Sequence, residues 1–334
     1  FNTSGWDTDF EISSVPFDEI FSGGPGKDGI PAIDEPKFES IDDARSWVTG
    51  LGPVIALEID GDARAYPLSV LTWHEIVNDT VGDVPVIVTF CPLCHTALVF
   101  ERKLDGTVHD FGVSGNLRLS DMVMYDRQTE TWWQQATGLG IIGELTGAKL
   151  EFVPSQLISL DQFAEAYPDG QVLSRDTGHR RDYGRNPYVG YDTIDQQPFL
   201  FAGVTDGRLS PKERVVTLGE QDSEAPVSIP YSELRQVGAV NLDFEDQPTV
   251  ALWVPGVASA LDRQSFVEGE DVGATGVFSA VVDGQTLTFE RDGVEVAAMT
   301  DVETGSHWDI TGRAVEGPLE GATLEPVNHG DHFW

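Results

Sequence analysis

The sequence predicts a mainly β protein built from two diverged copies of one β-domain, with a few short helices and an extended N-terminal arm. Three observations lead there. Most segments between Gly, Asp and Pro residues are short runs of the strand type. A block of residues in the first half recurs in order in the second. Only four stretches carry helical spacing with usable ends. The 334 residues, 40% of them hydrophobic, suffice for two packed units.

Residues 1–38 read as the arm, because Gly23-Gly24-Pro25-Gly26 and the prolines at 31 and 36 interrupt any regular element. Ser40 is placed to cap a helix over Ile41–Thr49, with Asp43 three residues on as an Asp variant of the capping box. A strand Val54–Ile59 and a helix Leu68–Val77 follow. Val84–Phe90 and Ala97–Glu101 read as strands joined by Cys91-Pro92-Leu93-Cys94, and Ser159 caps a helix over Leu160–Tyr167. The second half offers a helix over Tyr231–Val237 and strands over Thr249–Val254, Val277–Val282 and Gln285–Glu290. Asp283-Gly284 is a hairpin turn between the last two.

The repeat is clearest around tryptophan. Asp126-Arg-Gln-Thr129-Glu-Thr-Trp-Trp133 recurs as Asp301-Val-Glu-Thr304-Gly-Ser-His-Trp308, with Met124 opposite Met299. Downstream, Gly138…Gly143-Glu-Leu145-Thr-Gly147 recurs as Gly312…Gly317-Pro-Leu319-Glu-Gly321. Upstream, Phe90 through Leu98 falls opposite Trp253 through Leu261. That places Val254, Val257 and Ala258 where the first copy has Cys91, Cys94 and His95. The reading is therefore an arm over 1–38, a first repeat domain over 39–160 carrying the cysteines, a connector over 161–209, and a second, degenerate repeat over 210–334. It also expects the second copy to build the same strand–turn–strand without thiols.

Charge bounds the setting. Asp and Glu total 56 against 20 Lys and Arg, a formal net charge of -36, and five of the basic residues are Lys. Such a surface repels itself in dilute buffer and is screened at molar salt, where the Debye length is about 3 Å. The expectation is a halophilic, archaeal source. No basic stripe exists to replace counterions, so nucleic acid is not an expected partner. No apolar run of eighteen residues occurs, so no membrane span is expected. The first residue, Phe1, fits a mature exported product, and Asn2-Thr3-Ser4 and Asn78-Asp79-Thr80 make Asn2 and Asn78 glycosylation candidates. The expected location is extracellular or at the cell surface.

Chemistry centres on Cys91-Pro92-Leu93-Cys94-His95. A C-P-x-C turn at a hairpin tip points both sulfurs one way, as in a metal knuckle. Cys91, Cys94, His95 and His74 are the candidate ligands, with His109 as a further imidazole. Thiolates with imidazole suit a zinc or copper ion. The same spacing fits a redox dithiol or a structural disulfide. It also matches C-x-x-C-H, but covalent haem is disfavoured because the context is strand and the motif occurs once. Glu75 can serve as a base or as an orienter beside His74. His329 and His332 offer a second chelating pair. Trp132, Trp133 and Trp308, at repeat-related positions, read as core. No Gly-x-Ser-x-Gly elbow is present.

Five ordered motifs carry a family resemblance: Gly23 through Asp34 (GGPGKDGIPAID), Trp73-His-Glu-Ile-Val-Asn-Asp79, Thr89-Phe-Cys-Pro-Leu-Cys94, Phe111-Gly-Val-Ser-Gly115 and Met124-Tyr-Asp-Arg-Gln-Thr129. Across nearly the whole chain they resemble the DUF3179 family. The resemblance implies an exported protein whose hallmark is the Cys-Pro-Leu-Cys turn, and no established reaction. The leading expectation is an exported metal-binding or redox protein using Cys91 and Cys94. The rival is a surface structural protein, a filament or matrix subunit, that self-associates through an arm adding a strand to a neighbour's sheet.

Overall fold

The computed structural model describes residues 2–219, 223, 225–291 and 299–334. The chain is mainly β, and among the described residues four short helices join many small sheets.

The helices start where the sequence places them and stop for local reasons. Ser40 accepts from the Asp43 N–H, but the helix runs only Ile41–Ala44 before turns carry the chain to Gly50. Leu68–His74 ends because Glu75 enters the left-handed region at φ 60°, and Ile76 and Val77 join the strand Ile76–Val81. Ser159 and Gln162 form a reciprocal capping box on Leu160–Ala166. Tyr231–Val237 is closed by Gly238 at φ 80°.

Two antiparallel sheets frame the cysteines, one carrying their hairpin and the other Asp121. One orders Phe152–Val153, Thr96–Glu101, Val84–Cys91 and Ile76–Val81; the other orders Ile20–Ser22, Phe111–Arg118, Asp121–Asp126, Trp132–Gln134 and Leu139–Ile142. Between them lies a core of Ile87, Phe100, Phe111, Met124 and Trp133, with Cys91 among them. Each large side chain sealed there is worth about 1.5–3 kcal/mol relative to exposure.

The arm is part of this body. Ile20–Ser22 pairs with Asn116–Arg118 at the sheet edge, and Trp6 packs edge-on against Tyr125 and Trp132 at 4.9 and 5.0 Å between ring centroids. Gly115 is what lets it approach. Its φ is +76°, and a Cβ there would sit 2.1 Å from the Pro25 carbonyl oxygen. Gly115 therefore marks a close backbone approach, while Gly112 makes room for the Asp28 and Tyr125 side chains.

The two halves share a core. Val54, Ile158 and Phe163 pack in one cluster with Val250, Leu252 and Trp308. The same local hydrogen bonds occur in both. Asn78 and Phe111 exchange an amide pair, as do Asn241 and Phe289. Asp126 accepts from the Trp133 indole and from Thr129, and Asp301 accepts from the Trp308 indole and from Thr304. Trp132, Trp133 and Trp308 are all fully buried. One expectation is corrected. Cys91 pairs with Thr96 across a short turn, whereas Val254 pairs with Ala274 after residues 255–273 have made an irregular excursion. Val254 is thus the register counterpart of Cys91, and Val257 and Ala258 lie in the excursion. No helix among the described residues is long and apolar enough to cross a membrane.

Candidate metal centre

The turn that holds the thiols is short. Cys91 closes one strand, Thr96 opens the next, and the two are paired, leaving Pro92–His95 to reverse the chain. His95 completes the reversal at φ +57°, which L-residues enter reluctantly. It is braced there. An Arg214 N–H donates to His95 Nε2 at 2.7 Å, and the same guanidinium donates to Asp192 and Ser259. The Phe333 N–H donates to the Cys94 carbonyl at 2.9 Å. Because Nε2 accepts, the ring proton sits on Nδ1. Burial, and then the charge of Arg214, hold His95 well below the usual imidazole range. His95 therefore turns away from the sulfurs, toward the guanidinium.

The third group at the thiols comes from the neighbouring sheet. Arg118 pairs with Asp121 across a two-residue turn, Leu119 at φ 53° and Ser120 at φ 68°. Positive φ at both positions is the geometry that normally selects Asn-Gly. It aims the Asp121 carboxylate at the cysteines. Asp121 Oδ1 lies 3.3 Å from Cys94 Sγ, while Oδ2 accepts from Gln134 Nε2 at 2.6 Å and from the Ala136 N–H at 3.0 Å. The Thr96 hydroxyl donates to Cys94 Sγ at 3.0 Å, and Cys91 Sγ lies 3.9 Å from the Ser120 carbonyl. Both cysteines are free thiols. One donor atom each from Cys91, Cys94 and Asp121 lies within 4.8 Å of the others, a spacing that can hold a metal ion. Burial, and then the neighbouring Cys91, lift the Cys94 thiol well above its usual value. Burial also raises Asp121 to about 6 against its hydrogen bonds. Cys94 is then a protonated donor to Asp121, the form a metal displaces.

The centre opens on a cavity of about 460 Å³. Cys94, Ser120 and Asp121 line it. The connector and the C-terminal strand Gly330–Phe333 help enclose it. Tyr191 of the connector donates to the Leu93 carbonyl at 3.0 Å, tying that wall to the turn.

The other candidates lie elsewhere. His74 is fully buried, Nδ1 on the Pro31 carbonyl and Nε2 on the Tyr183 hydroxyl, both at 2.7 Å. Burial pulls it down to about 4. Glu75 is buried beside Tyr188, and burial raises its carboxyl to about 8. His109 bonds Asp126, and His332 bonds Thr217. His329 Nδ1 bonds the Val327 carbonyl. Asn2 is exposed. Asn78, expected as a glycosylation candidate, is corrected. It is 2% exposed and both ends of its amide are bonded, to Asp34 and to the Phe111 backbone, so the folded chain offers no exit for a glycan. Asp121 went unread in the sequence: it lies 27 residues from Cys94 among 56 acidic residues, and only the hairpin register singles it out.

Residues 27–334 match the family described as protein of unknown function (DUF3179). No curated protein and no solved structure matches the chain.

Proposed function

The chain belongs to the DUF3179 family, and on that premise we propose that it is a metalloprotein in which Cys91, Cys94 and Asp121 hold one metal ion facing a ligand cavity. One observation carries the reading: two sulfurs and a carboxylate oxygen from neighbouring sheets converge within 4.8 Å, Cys91 and Asp121 buried and Cys94 partly so. An acidic cluster on the surface of so acidic a chain means little. Two thiols and a buried carboxylate are a donor set for a soft or borderline ion. The carboxylate favours zinc over copper(I), which prefers sulfur and nitrogen alone. Three protein ligands leave a fourth position open toward the cavity, the arrangement of a catalytic rather than a structural zinc. The second coordination layer is in place: Thr96 on the Cys94 sulfur, and Gln134 with the Ala136 N–H on the far oxygen of Asp121. His95 acts through the turn, and His74 braces the arm against the connector.

A catalytic dithiol fits less well, because a thiol raised by burial is a poor nucleophile at neutral pH. The assembling-subunit reading asks the arm to pair outside the chain, yet Ile20–Ser22 already pairs within it.

We further infer that the two halves descend from one unit, on the strength of the paired Asn–Phe and Asp–Trp hydrogen bonds. In this reading the second copy keeps the scaffold and has lost the site.

X-ray absorption on zinc-loaded protein tests the metal reading. The expected first shell has two sulfurs at about 2.3 Å and oxygen at about 2.0–2.2 Å. A shell of nitrogen and oxygen without sulfur would sink it.

A further inference from the structure

We propose that this centre selects a neutral, largely apolar ligand bearing one nitrogen or oxygen donor, and rejects anions, chloride included. The inference rests on the metal reading above and adds the class of ligand.

The charge of the donor set comes first. A divalent ion neutralises two of the three negative charges that Cys91, Cys94 and Asp121 present once the thiols are ionised, so the filled centre carries a net charge of about -1. An anion in the fourth position would raise that to about -2 in a place where Asp121 is 4% exposed. Relief would have to come from a cation in the wall. The cavity lining includes no Lys or Arg, and its titratable groups besides the ligands are Asp206 and His332. Asp206 adds negative charge at the mouth, although Arg208 pairs with it there. His332 accepts or donates at Thr217, and burial pulls it below the ordinary imidazole value, so it supplies no positive charge. Arg214 lies behind the turn, engaged by His95, Asp192 and Ser259.

The walls decide the rest. Leu93, Leu119, Pro198, Phe201, Val204 and Trp334 line the cavity beside Cys94 and Asp121. Val204 is 98% exposed, an apolar side chain left at the rim with little to cover it. A cavity of about 460 Å³ holds a small molecule of drug-like size or below. Apolar walls and an anionic centre match an alcohol, a carbonyl compound or an uncharged nitrogen base on a hydrocarbon body. The same property suits a chain of net charge -36 in concentrated salt: a neutral open zinc position would fill with chloride, whereas an anionic one stays free for its ligand.

The test uses the full-length protein loaded with cobalt(II), a spectroscopically visible stand-in for zinc. Thiolate-to-cobalt charge-transfer absorption reports the metal reading, and the ligand-field bands report the fourth position. With charge transfer present, imidazole at pH 8 should shift the ligand-field bands. N-butylimidazole should do so at least about tenfold more tightly, because its chain lies on the apolar wall. Azide at the same concentrations, and chloride between about 0.1 and 2 M, should leave the bands in place. Asp121→Asn leaves two thiolates against the divalent ion, so the filled centre is neutral, and should make the bands respond to azide and chloride. A chloride or azide response in the wild type as strong as that of imidazole overturns the inference while leaving the metal reading standing. Equal binding of imidazole and its butyl derivative overturns the apolar part. Absence of charge transfer in the wild type removes the premise and overturns both.

Discussion

Cys91 and Cys94 announce themselves in the sequence, because two cysteines in one turn of a 334-residue chain have few innocent explanations. Asp121 does not, since neither spacing nor composition distinguishes it. His95 drew attention by adjacency, but side-chain direction follows backbone conformation, and at φ +57° its imidazole meets Arg214. Glu75 shows how burial sets behaviour at the same scale. Its carboxyl is raised from 4.5 to about 8, with burial as the cause and Tyr188 opposing. A folded-state value above the unfolded one stabilises the protein fully below about pH 4.5, and that contribution is lost as pH rises through about 8. Unfolding free energy should therefore fall by a few kcal/mol over this window on account of Glu75. Glu75→Gln should flatten the slope, as measured by urea unfolding between pH 5 and 9. An unchanged slope in the variant would refute the assignment.

Among the elements, the helix starts were legible because a cap is a local signal: Ser40 and Ser159 each sit one residue before their helix. Of the longer strands, Pro53–Ile59, Val84–Cys91, Thr96–Glu101 and Gln247–Val254 were legible through their β-branched and aromatic runs, whereas Asp62–Pro67, Ile76–Val81, Phe111–Arg118, Asp121–Asp126 and Ala239–Phe244 were not. Short pieces that exist only through their partners escaped as well. Ile20–Ser22, three residues in a Gly- and Pro-broken arm, becomes a strand because Leu117 and its neighbours offer an edge. The 255–273 excursion was hidden because the alignment continued across it. The Asp–Trp elements test the common origin of the halves. Trp133→Phe and Trp308→Phe each delete one indole N–H from a buried carboxylate that keeps its threonine donors. Each should cost about 1.5–3 kcal/mol, the range for hydrogen bonds to charged groups. Guanidinium or urea midpoints at high salt, with the slope unchanged, measure both. A large loss for one variant and none for the other would mean the two boxes do different jobs.

At the scale of the whole molecule, charge and core oppose each other. Clusters such as that joining Val54 and Phe163 to Val250 and Trp308 hold the halves together, while a net charge of -36 pushes the surface apart. Screening shortens from about 10 Å at 0.1 M to about 3 Å at 1 M. The melting temperature should therefore climb by many degrees between about 0.1 and 2 M KCl, followed by circular dichroism. A melting temperature independent of salt would remove the high-salt setting that we infer from this charge, and with it the argument that chloride must be excluded from the centre.

The account stands on the metal. Elemental analysis of protein purified at molar salt, set beside a Cys91→Val/Cys94→Ser variant, tests it most directly. Val is what the second half carries at the register counterpart of Cys91, and Ser keeps a small polar group beside Thr96 and Asp121. The variant should thus melt cooperatively, with a loss of about 1.5 kcal/mol or less at the valine. The account predicts about one metal ion per chain in the wild type and none in the variant. A folded wild type that takes up no metal when zinc is supplied, or a variant that retains it, would contradict the account.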